Sequence, residues 1–279
     1  MSNPGQIQIP AGLAVITTHG HITAQTVQCW SEMRSYSEKQ GLNNVGWTMV
    51  PGTLVEKARN DAVRTMLGAF EGKAQWILFV DGDMVFDPTS LQRILVTAYG
   101  TCPWADVIGA YCSLKGDLAL PTLDTGTGTW ESIYPGRGPV EVMRTGAAFL
   151  LCKRHVFDRI PAPWFRLRVP ARPLDFMAEV DNWARMKMDG KNPFRGLPGQ
   201  PWEKLLELAS QDPSAHAFVP QEVGEDSGFC DRVKAAGMRI IVDTNIEIGH
   251  LDQIVVNAAQ HKKKMAEMET QWLQAVGVA

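Results

Sequence analysis

Two aspartates separated by one glycine follow directly after an apolar run. The run is 76–80, and the acidic residues after it are Asp81 and Asp83. Side chains two positions apart in an extended chain point to the same side, roughly 6.5 Å apart, and their charges repel by about 2–3 kcal/mol at an effective dielectric of 20. A divalent cation would turn this repulsion into attraction, and carboxylate oxygens suit Mg²⁺ or Mn²⁺. The spacing therefore predicts a metal site.

The same residues have a second interpretation, because an aspartate–glycine pair is a common turn and Asp83 would then be a solvated loop charge. The position after a buried strand favours the metal site, since ligands of α/β sheets bind beyond the carboxyl ends of the strands. Gly82, which has no side chain, would let a phosphate group approach the backbone closely.

A second pair of acidic residues, Glu225 and Asp226, follows Gly224 at the start of a helical pattern. Acidic residues are favoured in the first helical turn because they complement the helix dipole, so one acid there needs no functional explanation. Two adjacent acids beside a glycine suggest a general base at the mouth of a site.

One histidine, His250, comes at the end of the apolar run 246–248 and directly after Gly249. A lone histidine is usually structural, but at the end of an apolar run it could complete a metal site. His19 and His21, which follow the first predicted strand, are better explained by a turn.

The elements that must position these residues alternate between strand and helix over the first 110 residues, which is typical of a parallel α/β sheet. Short apolar runs predict strands, and spacings of three and four predict helices. Thr53 with Glu56 forms a capping box, Asp87 with Pro88 a helix start, and Gly237 a helix end. The predicted strands are 13–18, 45–50, 76–80, 106–110 and 239–243, and the predicted helices are 22–40, 54–70, 88–99 and 225–236.

The second half of the chain is less regular. Residues 113–139 are rich in glycine, proline and threonine and indicate a long loop, and 160–222 indicate an irregular insertion with helical patches near 179–188 and 202–210. An amphipathic pattern predicts a last helix in 253–279. We therefore expect one domain over 1–279, with a nucleotide-binding half (1–112), an acceptor and catalytic half (113–252) and a C-terminal helix.

Composition excludes several classes of protein. The net charge of −3 gives no global attraction to nucleic acid or membrane. The five cysteines are scattered without a CxxC pair, which argues against a disulfide framework or a zinc knuckle and favours a reducing compartment. Neither a secretory signal nor an apolar run of about 18 residues is present, so we expect a cytoplasmic protein without a membrane span.

Four motifs in order resemble those of the GT-A-fold glycosyltransferases, closest to family 2 and its small phage-encoded members. They are DGDM at 81–84, RTGAAFLL at 144–151, GEDSGFCDRVKAAG at 224–237 and IGHL at 248–251, and the segment 58–60 is similar to the A-R-N segment near the nucleotide in that family. The resemblance covers roughly 13–252. It implies a GT-A (Rossmann-like) α/β fold, with a mixed, mostly parallel sheet flanked by helices and an irregular insertion.

The resemblance also implies roles for individual residues. The donor would be a nucleotide sugar, most simply a UDP-sugar, whose diphosphate is bound through Mn²⁺ or Mg²⁺. Asp226 would deprotonate the acceptor hydroxyl, and Glu225 would orient it or the acceptor. The implied metal ligands are Asp81, Asp83 and His250, and the implied donor-binding residues are Thr17, Thr18, Arg59, Asn60, Asp81 and Gly82.

The resemblance is incomplete, and other functions remain open. The Q-x-x-R-W motif of processive synthases is absent, so a polysaccharide synthase is not expected, and inverting and retaining chemistry are not distinguished. A nucleotidyltransferase would need a glycine-rich phosphate loop with a basic residue after the first strand, which 18–21 (Thr-His-Gly-His) matches poorly. A catalytically silent carbohydrate- or nucleotide-binding phage protein is the third alternative.

The acceptor is not determined by the sequence. Residues 153–195 contain ten basic and five acidic residues with interleaved aromatic side chains. Such a region could bind a phosphate backbone and stack on bases, or stack on sugar rings; it could also be a solvated insertion whose arginines pair with its own acids. The phage-like resemblance makes a hydroxymethylated base in DNA one candidate acceptor.

Overall fold

The computed structural model describes residues 7–19, 21–52, 54–113, 121–126, 134–166, 171–173, 218–220, 224–251 and 255–256. The chain divides into two compact units, one formed by Met1–Arg166 with Gly224–Ala279 and the other by Leu167–Val223. The second unit begins seven residues after the start of the predicted insertion (160–222), so 160–166 belong to the first unit. In the second unit, β10 (Ala171–Pro173) and β11 (Phe218–Pro220) pair antiparallel.

The first unit alternates strands and helices as predicted. Its strands are β1 (Gly12–His19), β2 (Val45–Gly52), β3 (Trp76–Asp81), β4 (Met84–Val85), β5 (Val107–Cys112), β6 (Leu123–Asp124), β7 (Pro139–Val142), β8 (Arg144–Thr145), β9 (Phe149–Lys153), β12 (Ile240–Leu251) and β13 (Val255–Val256). Its helices are α1 (Ala24–Lys39), α2 (Val55–Gly72), α3 (Ser90–Val96), which continues as a π-helical turn (Thr97–Thr101), α4 (Arg154–Arg159) and α5 (Glu225–Ala235).

The described residues form a nine-stranded sheet whose central order is β2-β1-β3-β9-β5-β12. β1 runs parallel to both β2 and β3, and β5 runs parallel to β12. β9 is antiparallel to both of its neighbours, β3 and β5, so the other five central strands share one direction. The predicted fold class, an α/β domain with a mixed, mostly parallel sheet flanked by helices, is confirmed.

Both faces of this sheet are covered, which explains why its central strands are continuously apolar. In β3 the side chains of Ile77 and Phe79 pack into one core cluster, and those of Leu78 and Val80 into the other. Helices α2, α4 and α5 contribute to the first cluster, which we call the α2–α5 face. Helices α1 and α3 contribute to the second cluster, which we call the α1–α3 face.

Two predicted helix starts differ from the observed ones. Helix α2 begins at Val55, after Leu54, which makes no side-chain capping bond. Thr53 lies outside the described residues, so the predicted capping box stays a prediction. Helix α3 begins at Ser90 rather than at Pro88, because the Asp87 carboxylate accepts the backbone N–H and hydroxyl of Thr89 (2.8 and 2.6 Å) and closes a turn before the helix.

Two predicted elements near the C-terminus are also corrected. Residues 240–251 form one strand, since a bulge between Asp243 and Glu247 lets the chain shift register against β5 and continue. Residues 255–256 are a strand paired with 250–251 and not the start of a helix; the rest of the predicted last helix lies outside the described residues, as do the helical patches 179–188 and 202–210.

The end of β3 differs from the extended chain assumed for the two aspartates. Asp81 is the last residue of β3, Gly82 and Asp83 form a turn, and β4 then pairs antiparallel with β12. The argument that both carboxylates point to the same side of an extended strand is therefore wrong, and the turn interpretation is correct for the backbone. Among the helices in the described part of the chain, none combines the length and apolar character needed to cross a bilayer.

Candidate functional site

The carboxyl ends of β1 and β3 place two polar side chains together. Thr17 and Asp81 are register partners in the parallel pair, and the Thr17 hydroxyl donates to Oδ1 of Asp81 at 3.1 Å. Alternation along β3 puts Asp81 on the same side as Ile77 and Phe79, which is the α2–α5 face. Helix α2 carries Arg59 on that face, so a cation meets the carboxylate there.

Arg59 joins the two acidic motifs. Its Nη2 lies 3.0 Å from both carboxylate oxygens of Asp81, and its Nη1 donates to Oε1 of Glu225 at the start of α5. The Arg59 side chain is only 3% exposed. Burial lowers the pKa of its guanidinium, but the charges of Asp81 and Glu225 outweigh this effect and raise the pKa overall. A permanently charged group therefore holds together two carboxylates that would otherwise repel each other.

Glu225 is half desolvated at the helix start. Burial raises the pKa of its carboxyl group, the neighbouring charges of Asp226 and Asp81 raise it further, and the charge of Arg59 opposes the rise. A carboxyl group with a raised pKa at the edge of a sheet is a common feature of catalytic sites.

Asp226 faces a different part of the molecule. Its Oδ1 accepts the backbone N–H of Ser227 at 2.7 Å, and its Oδ2 lies 3.7 Å from the point where a β-carbon on Gly146 would be. The same β-carbon would lie 3.2 Å from Cβ of Thr122. The glycine of the RTGAAFLL motif thus packs closely between Thr122 and the Asp226 carboxylate, where a larger side chain would be crowded.

Asp83 and His250 are brought together by the pairing of β4 with β12. His250 is the register partner of Met84, and the carbonyl oxygen of Asp83 accepts the backbone N–H of Leu251 at 2.8 Å. Cys112, at the end of β5, lies against the imidazole, with its Sγ 3.5 Å from Nδ1 of His250. Burial raises the pKa of the Cys112 thiol, and the charges of Asp81 and Asp83 raise it further, so both aspartates lie close to this cysteine.

The predicted metal ligands fit a divalent cation in their chemistry. Nδ1 of His250 lies 2.5 Å from the carbonyl oxygen of Ser113; a carbonyl only accepts, so Nδ1 carries the proton and Nε2 of the neutral ring keeps its lone pair for a metal. Asp81 uses three of its roughly four lone-pair positions on Arg59 and Thr17. Among the residues that the structure describes, no group of three or more His, Cys, Asp or Glu side chains is close enough to hold a metal ion.

Two predicted donor-binding residues have other observed contacts. Asn60 binds the backbone of 164–165 and not the carboxylate site. Gly82 lies close to two other segments of the chain. A β-carbon on Gly82 would lie 2.9 Å from the His21 carbonyl oxygen and 3.1 Å from Cγ2 of Thr18. Their contacts with a nucleotide stay predictions.

Sequence reasoning missed Cys112 and Ser113 as neighbours of His250, and Arg59 as the bridge between the acidic motifs. A partial signal existed for Arg59, since a charged residue between Ala58 and Ala62 on the apolar side of a predicted helix needs a buried partner. No comparable signal existed for Cys112, because only the pairing of β5 with β12 brings it to His250.

The predicted basic region begins with residues that already have partners. Lys153 donates to the carbonyl of Pro103 at 2.7 Å, Arg154 to that of Gly72 at 2.7 Å, and Arg159 to that of Ala236 at 3.0 Å. These three side chains stabilise the fold, and they offer few free donors to a phosphate backbone. Of the rest of 153–195, residues 167–170 and 174–195 lie outside the described residues.

Comparisons with known proteins show likeness in structure and not in sequence. No protein-family model matches the chain, and no curated protein sequence matches it. The protein A197 from STIV is 14% identical, with a TM-score of 0.50 over 90% of this chain and 91% of that one, which indicates a shared fold.

Two further solved structures have lower TM-scores. Glucosyl-3-phosphoglycerate synthase from Mycobacterium tuberculosis, in complex with Mn²⁺, UDP-glucose and phosphoglyceric acid, is 9% identical, with a TM-score of 0.35 over 82% of this chain and 80% of that one. CMP:2-keto-3-deoxy-manno-octonic acid synthetase, complexed with CTP, is 10% identical, with a TM-score of 0.34 over 83% of this chain and 88% of that one.

Proposed function

We propose that this chain is a metal-dependent glycosyltransferase that moves a sugar from a nucleotide-sugar donor, most simply a UDP-sugar, to an acceptor hydroxyl. The observation that carries the proposal is the link made by Arg59 between Asp81 of the D-G-D motif and Glu225 of the G-E-D motif. Motifs 144 positions apart in sequence thus meet at the carboxyl edge of the sheet, where α/β proteins bind their ligands.

In the proposed reaction the acceptor oxygen attacks the anomeric carbon of the donor. The bond from that carbon to the diphosphate breaks, the electron pair leaves with the nucleoside diphosphate, and the acceptor proton passes to the Asp226 carboxylate. Asp226 is the candidate base because the ion pair with Arg59 is made by its neighbour Glu225. Glu225, tied to Arg59, is better suited to orienting the site than to accepting the proton.

The donor would lie along the ends of β1 and β3. Thr17 and Thr18 would line the nucleoside side, and Arg59 would compensate the negative charge of the two acidic motifs. Asp81, Asp83 and His250 would hold Mn²⁺ or Mg²⁺, which would stabilise the charge that develops on the diphosphate leaving group. Gly82 would remain part of the donor site through its position beside Asp81, and Asn60 would support the site through the backbone of 164–165.

The donor-binding experiment is thermal denaturation with UDP-, GDP-, CMP- and dTDP-sugars and with the free nucleoside triphosphates, each with and without Mn²⁺. We expect one nucleotide sugar to stabilise the protein only when the metal is present, by about 2.7 kcal/mol at a hundred times its dissociation constant. Asp83→Ala should lose this stabilisation. Asp61→Ala is the matched control, because Asp61 pairs with Lys57 and Arg64 on the exposed side of α2.

The other outcomes identify the alternatives. Stabilisation by a nucleoside triphosphate alone would indicate a nucleotidyltransferase, and binding of a nucleotide sugar without release of nucleoside diphosphate would indicate a silent binding protein. If no donor stabilises the protein with or without metal, the glycosyltransferase proposal is wrong.

For the acceptor we propose a hydroxymethylated base in DNA, reached through the part of 153–195 that follows Arg159. Seven basic residues against four acidic ones in 160–195 support a polyanionic acceptor. The test offers the donor identified above together with duplexes that differ only in carrying hydroxymethylated or unmodified pyrimidines. We expect labelled sugar on the modified duplex alone. Equal labelling of both duplexes, or labelling of neither, would exclude this acceptor.

A further inference from the structure

The segment 160–166 follows α4, and its last residues are hydrogen-bonded to helices α2 and α5. Oδ1 of Asn60 on α2 accepts the backbone N–H groups of Trp164 (2.8 Å) and Phe165 (3.2 Å), and its Nδ2 donates to the carbonyl of Phe165 (2.6 Å). From α5, Nη1 of Arg232 donates to the carbonyl of Trp164 at 3.0 Å. Both ends of the Asn60 amide are used, so 164–165 have a defined position relative to α2.

The ring of Phe165 packs under the carboxylate site. It is fully buried, stacks on Phe229 of α5 at a centroid distance of 4.4 Å and an angle of 17°, and meets the edge of Phe79 in β3 at 5.2 Å. The guanidinium carbon of Arg59 lies 5.8 Å from the ring centroid, within the range of a cation–π interaction. One ring therefore contacts the strand, the helix and the cation that build the site.

The guanidinium of Arg59 is held by two kinds of contact. Its Nη atoms are bonded to Asp81 and Glu225, and among the described residues its buried Nε has no hydrogen-bond partner. The Phe165 ring is an aromatic surface within cation–π range of the same guanidinium. Packing against this ring can therefore restrict the guanidinium where hydrogen bonds do not.

We infer that Phe165, held by Asn60, is a positioning residue that sets the place of Arg59 and through it the alignment of Asp81 with Glu225. The effect that this inference predicts on catalysis rests on the proposed function, because only a reaction at these carboxylates would depend on their alignment. Asn60 then contributes to the site through the backbone of 164–165 and not through a nucleotide.

The first experiment needs no substrate. A double-mutant cycle measures the unfolding equilibrium of the wild type, Phe165→Leu, Arg59→Lys and the double variant in urea. We expect the two substitutions to be coupled by about fivefold in the unfolding equilibrium constant, which corresponds to about 1 kcal/mol. Phe165→Met gives a second cycle if Phe165→Leu does not fold.

The matched control is Phe157→Leu. Phe157 is buried in the same aromatic cluster, with ring contacts to Trp164 at 5.8 Å and Phe229 at 6.1 Å, and none of its ring contacts in the described part of the chain is with Arg59. Phe157→Leu should destabilise the protein to a similar degree without coupling to Arg59→Lys. Equal coupling for both phenylalanines, or none for Phe165, would overturn the inference.

The second experiment uses the donor found by thermal denaturation and measures its turnover. Phe165→Leu and Asn60→Ala should lower kcat by about tenfold to a hundredfold, with KM for the donor changed less than threefold, and Phe157→Leu should keep both constants. If Phe157→Leu lowers kcat as much, the loss reflects general packing and the positioning role is wrong. If the wild type turns over no donor but the cycle shows coupling, the proposed function fails and the structural part of the inference stands.

Discussion

Nη2 of Arg59 donates to both carboxylate oxygens of Asp81 at 3.0 Å, across the 22 residues that separate helix α2 from the end of β3. The same guanidinium reaches Glu225 on α5. The buried guanidinium of Arg59 thus binds two carboxylates. We therefore expect its removal to lower the stability of the protein even without a ligand.

Removing the charge of Arg59 should destabilise the fold strongly. Asp81 and Glu225 are only 17% and 13% exposed, and a buried pair that loses one partner typically costs about 3–5 kcal/mol. We expect a loss of this size for Arg59→Met, and a smaller loss for Arg59→Lys, which keeps the charge but not the forked geometry. Urea denaturation measures both.

The control for Arg59 is on the same helix. Arg64 is 59% exposed and pairs with Asp61 at the surface, so Arg64→Met should change the free energy of unfolding by less than about 1 kcal/mol. Similar losses for Arg59→Met and Arg64→Met would contradict the conclusion that the buried ion pairs hold the site together.

Substitution of a glycine by alanine should have opposite effects on stability at Gly82 and at Gly68. A β-carbon on Gly82 would lie 2.9 Å from the backbone carbonyl of His21, which cannot move aside without its segment, so Gly82→Ala should cost about 1–3 kcal/mol. Gly68, exposed within α2, has no atom within 4 Å of its added β-carbon, so Gly68→Ala should stabilise by about 0.5–1 kcal/mol. Thermal denaturation without ligand compares them, and a tolerated Gly82→Ala would mean that the 21–23 segment yields easily.

Much of this arrangement could be predicted from local pattern, and the part that could not depends on pairing between distant segments. The run 76–80 predicted β3 because both faces of a central strand are buried, and Val55 to Met66 predicted α2 because its apolar positions recur at helical spacing. In contrast, the predicted helix 54–70 extends through Phe70, yet the backbone leaves helical geometry at 69–71 and the Phe70 side chain is 39% exposed.

The site shows the same division. The acidic motifs and His250 could be selected from residue type and spacing, but their relation to each other could not. Asp81 and His250 approach from opposite faces of the sheet, since Asp81 follows Phe79 on the α2–α5 face and His250 follows Ile248 on the α1–α3 face. Only the turn at 82–83 and the pairing of β4 with β12 bring Asp83 beside His250.

The raised pKa of Glu225 predicts a defined effect of pH on stability. Burial raises this pKa above its ordinary value of 4.5 in the folded protein, so the folded state binds the proton more tightly than the unfolded state. The contribution of Glu225 to the stability of the wild type should therefore fall as pH rises from below 4.5 through the raised pKa, and then level off. Glu225→Gln cannot ionise and lacks this loss.

The measurement is the difference in free energy of unfolding between Glu225→Gln and the wild type at a series of pH values. The difference should shift in favour of the variant as pH rises across that window and stay constant above it. Carboxyl groups remote from Glu225 cancel in the difference, including Glu141, whose pKa is lowered by hydrogen bonds from Arg239 and Lys234. A difference that shifts towards the wild type with rising pH would mean that the attraction of Arg59 outweighs burial.

Asp226 and Glu225 are adjacent in sequence, yet their surroundings predict different defects when each loses its charge. The Asp226 carboxylate accepts the backbone N–H of Ser227 and lies beside Gly146. In its proposed role as general base, Asp226→Asn should lower kcat by about 10²–10⁴-fold, the usual contribution of such a group. Donor binding, measured by metal-dependent thermal stabilisation, should persist because no described contact of Asp226 reaches Asp81 or His250. Glu225→Gln should instead weaken donor-dependent stabilisation, since it releases one side of Arg59 next to Asp81. If Asp226→Asn retained normal turnover while Glu225→Gln abolished it without affecting donor binding, the two roles would be reversed and Glu225 would be the base.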